Sequence, residues 1–225
     1  MKKVAMAAAL AVAVALLPTS AQAFTAAPAR DRAAIARYYG DPGTGVASRT
    51  DSPYIRAVSR IIARELPSVE RACAQPHAAL VLDVDDTTLA TYDLYVGRMH
   101  YVNDTALRRA WVRHEKFAAV PGMVRLAKAA KRSGCRLIAI TGRASFERTA
   151  TLGNLANLGY PAFARAYFST PGSGLSAQQY KTAARARLAR AGVVIVANIG
   201  DQKSDLAGGH AARDIRLPNR MYTIP

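Results

Sequence analysis

Long hydrophobic runs are nearly missing from this sequence. Beyond Val4–Leu17 no stretch of the 225 residues is long and apolar enough to span a bilayer, which takes about 20 residues, so a soluble product is expected. The one run is 14 residues long; Lys2 and Lys3 precede it, and Pro18 and the small-residue triplet Ala21-Gln22-Ala23 follow. That order reads as a secretory signal peptide over residues 1–23, leaving a mature chain from Phe24 that works outside the cytoplasm, secreted or periplasmic, with no membrane contact after cleavage.

Cysteine is as scarce. Cys73 and Cys135 are the whole complement, and they form neither a C-x-x-C pair nor a Cys/His zinc spacing. In an exported chain a bridge between them and two free thiols both stay open. Each precedes a predicted strand, so both belong to the amino edge of a sheet. Blocks of five or more like charges are absent too, although Lys and Arg outnumber Asp and Glu by 31 to 15. The formal charge of +16 becomes +14 without Lys2 and Lys3. This excess favours anionic partners such as phosphorylated small molecules, while the scatter of the arginines argues against a dedicated nucleic-acid arm. No internal repeat is found.

What is present centres on Leu80–Leu89, L-V-L-D-V-D-D-T-T-L. A short apolar run bounded by turn residues suits a buried parallel strand. Asp83, Asp85 and Asp86 at its mouth repel one another and lose hydration, so a divalent cation is expected among them. If extended geometry persists, Asp83 and Asp85 emerge on one side. One acid can then attack a substrate while the other donates a proton and later acts as base. An acidic strand end that only caps a turn gives the same D-x-D. A calcium loop fits worse, because position six would need Gly and has Thr88, and position twelve would need Glu and has Leu94.

The rest alternates helix and strand. Phe24–Thr50, rich in Ala, Gly and Pro, reads as a loose lead-in with a short helix at Arg30–Tyr39. Ser52-Pro53 starts a helix whose apolar face is Ile55, Val58, Ile61, Ile62 and Leu66. Residues Ala90–Val120 form an inserted lid, helical from Asp104; Trp111 and Phe117 are assigned to its own core, whereas Tyr92 and Tyr95 are open between core and substrate contact. A helix runs from Pro121-Gly122 to Arg132. The strand Arg136–Ile140 runs into Thr141-Gly142-Arg143, where a hydroxyl and backbone amides at a strand-to-helix junction can hold phosphate oxygens. A helix over 144–158, a strand at Ala166–Ser169 and a helix from Ser176 to Ala191 follow, the last carrying Lys181 near the carboxyl end of the sheet. The strand Val193–Ile199 ends in Gly200-Asp201-Gln202-Lys203-Ser204-Asp205, a second acidic strand end that can meet the first around one hard cation. A short strand and an ordered tail finish the chain. The alternation predicts an α/β fold: one doubly wound parallel sheet with a small, mainly helical cap over about 90–120.

D-V-D-D-T at 83–87, T-G-R at 141–143, Lys181 and G-D-Q-K-S-D at 200–205 stand in an order that resembles the haloacid dehalogenase superfamily, and within it the secreted acid phosphatase branch of bacterial class B and class C enzymes and plant vegetative storage proteins. The likeness spans Ser52–Pro225, including L-P-N-x-M-Y at 217–222. It implies Asp83 as nucleophile, Asp85 as acid and base with its carbonyl in the metal shell, and Thr141, Gly142 and Lys181 on the phosphoryl oxygens. Asp201 would be a magnesium ligand alongside Asp83, with Asp205 as the second acid of that motif. Class C enzymes are typically anchored through a cysteine after the leader; none lies near Ala23, so a released chain is expected.

The expected function is therefore a secreted, magnesium-dependent acid phosphatase acting on phosphomonoesters, broad or nucleotide-leaning, through an aspartyl-phosphate. A non-enzymatic phosphate-ester binding or storage protein is the alternative, and action on nucleic-acid ends a third reading.

Overall fold

The computed structural model describes residues 24–224; the expected leader lies outside them. In chain order the elements are β1 (Thr25–Ala26), α1 (Arg32–Tyr39), α2 (Pro53–Cys73), β2 (Ala78–Leu82), β3 (Leu89–Ala90), α3 (Tyr92–Tyr95), α4 (Thr105–Arg113) and β4 (Ala118–Ala119). There follow α5 (Met123–Arg132), β5 (Arg136–Ala144), α6 (Arg148–Asn157), β6 (Arg165–Ser169), α7 (Ala177–Arg190), β7 (Val194–Gly200), α8 (Lys203–Leu206), β8 (Asp214–Arg216) and β9 (Tyr222–Thr223).

Five strands make a parallel sheet in the order β6-β5-β2-β7-β8. The chain leaves β2 in one direction through β5 and β6, then returns to its other side through β7 and β8. The carboxyl end of β2 is thus the point where strand order reverses, the place where open α/β sheets bind ligands. Period-two alternation sends Leu80, Leu82, Leu137 and Ala139 to one apolar cluster, with residues of α2, α5 and α6. Ala79, Val81, Ile138 and Ile140 go to the other, against Ala184 and Leu188 of α7. Both faces are covered, so the strands read as apolar runs and not as alternations.

The helix α2 begins where expected: Ser52 Oγ accepts from the Ile55 amide at 3.1 Å, with proline in the first turn. Its inner face is Tyr54, Val58, Ile62 and Val69, and Ile55, Ile61 and Leu66 flank it. Cys73, its last residue, is disulfide-bonded to Cys135 just before β5. Closing a loop of 62 residues at the amino edge of the sheet restricts the unfolded chain by about 4 kcal/mol in the chain-entropy picture. Among the described residues no helix is long and apolar enough to cross a membrane.

Four expectations are corrected. The lead-in is not loose: β1 pairs antiparallel with β9, and Ile35, Tyr38 and Tyr39 of α1 are buried. The first motif strand stops at Leu82, because amides of Thr88 and Leu89 turn back to the Val84 carbonyl at 2.9 and 2.8 Å. The insert is closed at its base by β3 and β4, two short antiparallel strands where no strand was expected. Finally, Thr141-Gly142-Arg143 lies within β5, which continues to Ala144 with an irregularity against β6; the junction comes directly after it, where a 3-10 turn over Ser145–Glu147 leads into α6. Ser169 on β6 holds that bulge by donating to the Gly142 carbonyl at 2.8 Å.

Candidate active site

Above the carboxyl ends of β2, β5 and β7 lies a cleft of about 300 Å³. Of the seven residues singled out for chemistry, Asp83, Asp85, Gly142, Lys181, Asp201 and Asp205 line it. Thr141 does not; fully buried, it accepts from the Arg143 amide at 3.1 Å, which leaves its own O–H to donate.

Carboxylate oxygens of Asp83, Asp201 and Asp205 lie within 4.8 Å of one another. Lys181 from α7 bridges two of them, its Nζ donating to Asp83 Oδ1 at 2.6 Å and Asp205 Oδ1 at 2.5 Å. Gly200 is what lets β7 come so near: a Cβ there would sit 2.3 Å from the Asp205 Cβ. The other Asp205 oxygen accepts from the Gln202 amide at 2.7 Å. Asp201 accepts from Asn219 at 2.8 Å and from Thr87 at 3.3 Å.

Burial alone would lower the Lys181 pKa, but Asp205 and Asp83 outweigh it and raise the pKa. One ammonium cannot offset three buried acids. Burial pushes Asp83 up to about 7 against the pull of Lys181. Asp201 is pushed well above the usual carboxylate range, first by burial and then by the neighbouring Asp205, Asp86 and Asp83. Three carboxylates and one ammonium leave two negative charges, which a divalent, oxygen-loving cation would offset. Ser204 lines the same cleft, and its buried Oγ has no hydrogen-bond partner among the described residues. The donor set fits a hard divalent cation such as magnesium on these grounds.

Asp85 lives differently. Burial would raise its pKa, yet the Arg143 guanidinium outweighs that and holds the carboxyl below its usual range. Arg143 donates through Nη2 at 2.7 Å and through Nε to both oxygens at 3.2 Å. The guanidinium is itself fixed by Thr151 at 3.0 Å and by the Phe117 ring at 4.5 Å. Phe117, expected as cap core, therefore also backs the site, while Trp111 packs edge-on against it. Asp86, third of the acids, turns away in a left-handed conformation (φ 53°). It accepts from Thr91 and from Tyr222 Oη at 2.6 Å, and burial lifts it to about 6.

Tyr92 belongs to the core, donating to Asp41 at 2.9 Å and packing on Tyr39, whereas Tyr95 lines the cleft. Sequence reasoning missed the partners. Arg143 stood in the quoted T-G-R triplet, and its adjacency to Thr141 was the available signal. Arg108 of α4, paired with Glu147 at 2.9 Å, brings the cap to the cleft. Asn219, inside the quoted tail, and Phe24 at the far end of the chain gave no local sign.

A parallel sheet with a buried carboxylate cluster at its switch point and a helical cap after the first strand defines the haloacid dehalogenase class of fold. The chain belongs to the subfamily IIIB acid phosphatases of that superfamily, phosphoric monoester hydrolases whose family model matches residues 1–225. It is 31% identical over 182 residues to the stem 28 kDa glycoprotein of Glycine max, covering 78% of this chain and 69% of that one. It is 30% identical to acid phosphatase 1 of Solanum lycopersicum and to vegetative storage protein 1 of Arabidopsis thaliana, in each case over 64% of this chain. The matches span 58% and 55% of those two relatives. The class C acid phosphatase of Bacillus anthracis has the same fold, with TM-score 0.67 over 86% of both chains at 20% identity.

Proposed function

We propose that this chain is a secreted, magnesium-dependent acid phosphatase that hydrolyses small phosphomonoesters through an aspartyl-phosphate. One observation carries the reading: Asp83 is buried at the sheet's switch point, held by Lys181 and facing Asp201 and Asp205. An Asp83 oxygen attacks phosphorus, and the bond from phosphorus to the leaving oxygen breaks. Asp85, oriented by Arg143, protonates that oxygen, then takes a proton from the water that splits the acyl phosphate. Lys181 and the Gly142 backbone hold the phosphoryl oxygens, while Thr141, buried behind the cleft, braces the turn by accepting from the Arg143 amide. Magnesium, held by Asp83, Asp201 and Asp205 with the Asp85 carbonyl, would neutralise charge on those oxygens. Because Asp85 must enter the first step with its proton, the optimum is acidic.

Export rests on residues 1–23 as a cleaved leader, and the Cys73–Cys135 bridge supports an oxidising compartment. The test is phosphate release from an aryl phosphate and a nucleoside monophosphate, with magnesium and with chelator, by protein starting at Phe24. Magnesium-dependent turnover is expected. Tight binding of phosphate esters without turnover would instead support a storage role, which the 30% identity to a vegetative storage protein brings into view.

A further inference from the structure

Phe24 is the first residue after the expected leader, and it lines the cleft that holds Asp83 and Lys181. Its ring lies 5.1 Å from Tyr95 in a stack and 5.1 Å from Tyr222, and those two tyrosines are 5.0 Å apart. All three line the cleft, so they form one aromatic wall. The wall is anchored. The register of β1 on β9, Thr25 opposite Thr223, sets Phe24 opposite Ile224, another lining residue. The Ile224 amide donates to Gln202 Oε1 at 3.0 Å, and the Gln202 side chain bonds Asp201. The Ala27 amide donates to the Met221 carbonyl at 2.8 Å on the other side. Phe24 is thus tied through the tail to the acid cluster itself.

The cations of the cleft show what such a terminus can add. Lys181 is committed to Asp83 and Asp205, Arg143 to Asp85, and Arg108 to Glu147. Arg109 stacks at 5.2 Å on Phe146, which is 61% exposed, and has no carboxylate partner among the described residues. A substrate arriving with two negative charges meets few uncommitted positive groups. Cleavage between Ala23 and Phe24 hydrolyses one amide and creates an α-ammonium on a residue of the cleft wall, mainly protonated below about pH 7.7.

We infer that the amino terminus freed at Phe24 is a substrate-recognition element, its ring packing the organic group of an aryl or heteroaryl phosphate and its ammonium drawing in the phosphate. Removal of the leader then completes the cleft as well as releasing the chain. This rests on the phosphatase reading above, but its test reads binding separately from turnover.

Three proteins with amino termini verified by mass spectrometry are compared with magnesium present: the form starting at Phe24, a form starting at Ala21, and Phe24→Ala in the shorter form. Thermal midpoints confirm that each is folded. Calorimetry measures the affinity for inorganic phosphate and for phenylphosphonate, which cannot be hydrolysed. The Ala21 form is expected to bind both anions about three- to tenfold more weakly, the effect of one nearby charge. Phe24→Ala should lose a similar factor for phenylphosphonate and keep its affinity for inorganic phosphate. Equal affinities of the Phe24 and Ala21 forms overturn the inference. So does Phe24→Ala weakening both ligands alike or neither, or phenylphosphonate binding to none of the three. Phosphate release from phenyl phosphate is followed in parallel: turnover absent from a form that binds the phosphonate sinks the phosphatase reading and leaves this one standing.

Discussion

At the carboxyl end of the sheet, Asp83, Asp201 and Asp205 are buried around one ammonium; at the amino end of the same strands, apolar residues surround the Cys73–Cys135 bridge. The first arrangement concentrates like charge where water is excluded, and burial holds two of its carboxyls above their usual range. The second restricts the unfolded chain and asks nothing of the solvent. The proposed chemistry and the covalent brace therefore belong to opposite ends of one sheet, and each should be alterable with little effect on the other.

The largest effect tests the charged end. Asp83→Asn keeps the shape but removes the proposed nucleophile, and turnover should fall by at least about 10³-fold, as expected when covalent catalysis is lost. The thermal midpoint should move by only a few degrees, because one of the repelling carboxylates is gone. Phosphate release within tenfold of the parent would refute the role of Asp83. The complementary change is Cys73→Ser with Cys135→Ser. Losing the bridge should cost about 4 kcal/mol, an unfolding midpoint lower by roughly 10 °C for a domain of this size. In protein shown to be folded, kcat should stay within twofold. A large loss of kcat at unchanged stability would break the separation of the two ends.

A finer contrast lies between the two aspartates of one loop. Asp83 is pushed up and Asp85 held down, and the difference comes from their partners: Lys181 is shared by two acids, whereas Arg143 serves Asp85. Such opposed environments are how two carboxylates take different roles. Arg143→Ala should lower kcat about 10²-fold by freeing Asp85 from its orientation. Its pH dependence has a definite sign. The acid form of Asp85 grows as pH falls; with Arg143 present that form is confined to low pH, and without it burial dominates and the carboxyl rises. The alkaline limb of the pH–rate profile should therefore move upward in Arg143→Ala. An unmoved limb would mean that another group supplies the proton.

The acids and the lysine were legible in the sequence because each follows an apolar strand or opens the helix after one, so local pattern and chemistry coincide. The sheet was legible for the same reason: a strand covered on both faces announces itself as an apolar run. What could not be read was set by tertiary pairing. Asp83 to Asp85 looked extended, but the Val84 carbonyl gathers the amides of Thr88 and Leu89 and curls the loop. Arg143 points to Asp85 because Ser169, 26 residues on, anchors the bulge that carries it. Phe24 and Ile224 reach the cleft only because the two ends of the chain pair with each other.

Asn219 is the smallest of these long-range effects. It donates to Asp201 Oδ2 at 2.8 Å and, more weakly, to Asp86 at 3.4 Å, so the tail orients a carboxylate that it does not replace. Groups that position metal ligands typically matter by about ten- to a hundredfold in metal affinity. Thr87 and Gln202 also hold Asp201, so loss of one of three partners should fall at the low end. Asn219→Ala is expected to weaken magnesium binding about tenfold in a calorimetric titration, while kcat at saturating magnesium stays within threefold. Unchanged magnesium affinity would show that Thr87, Gln202 and the end of β7 suffice to position Asp201 and that the tail serves only to hold β1.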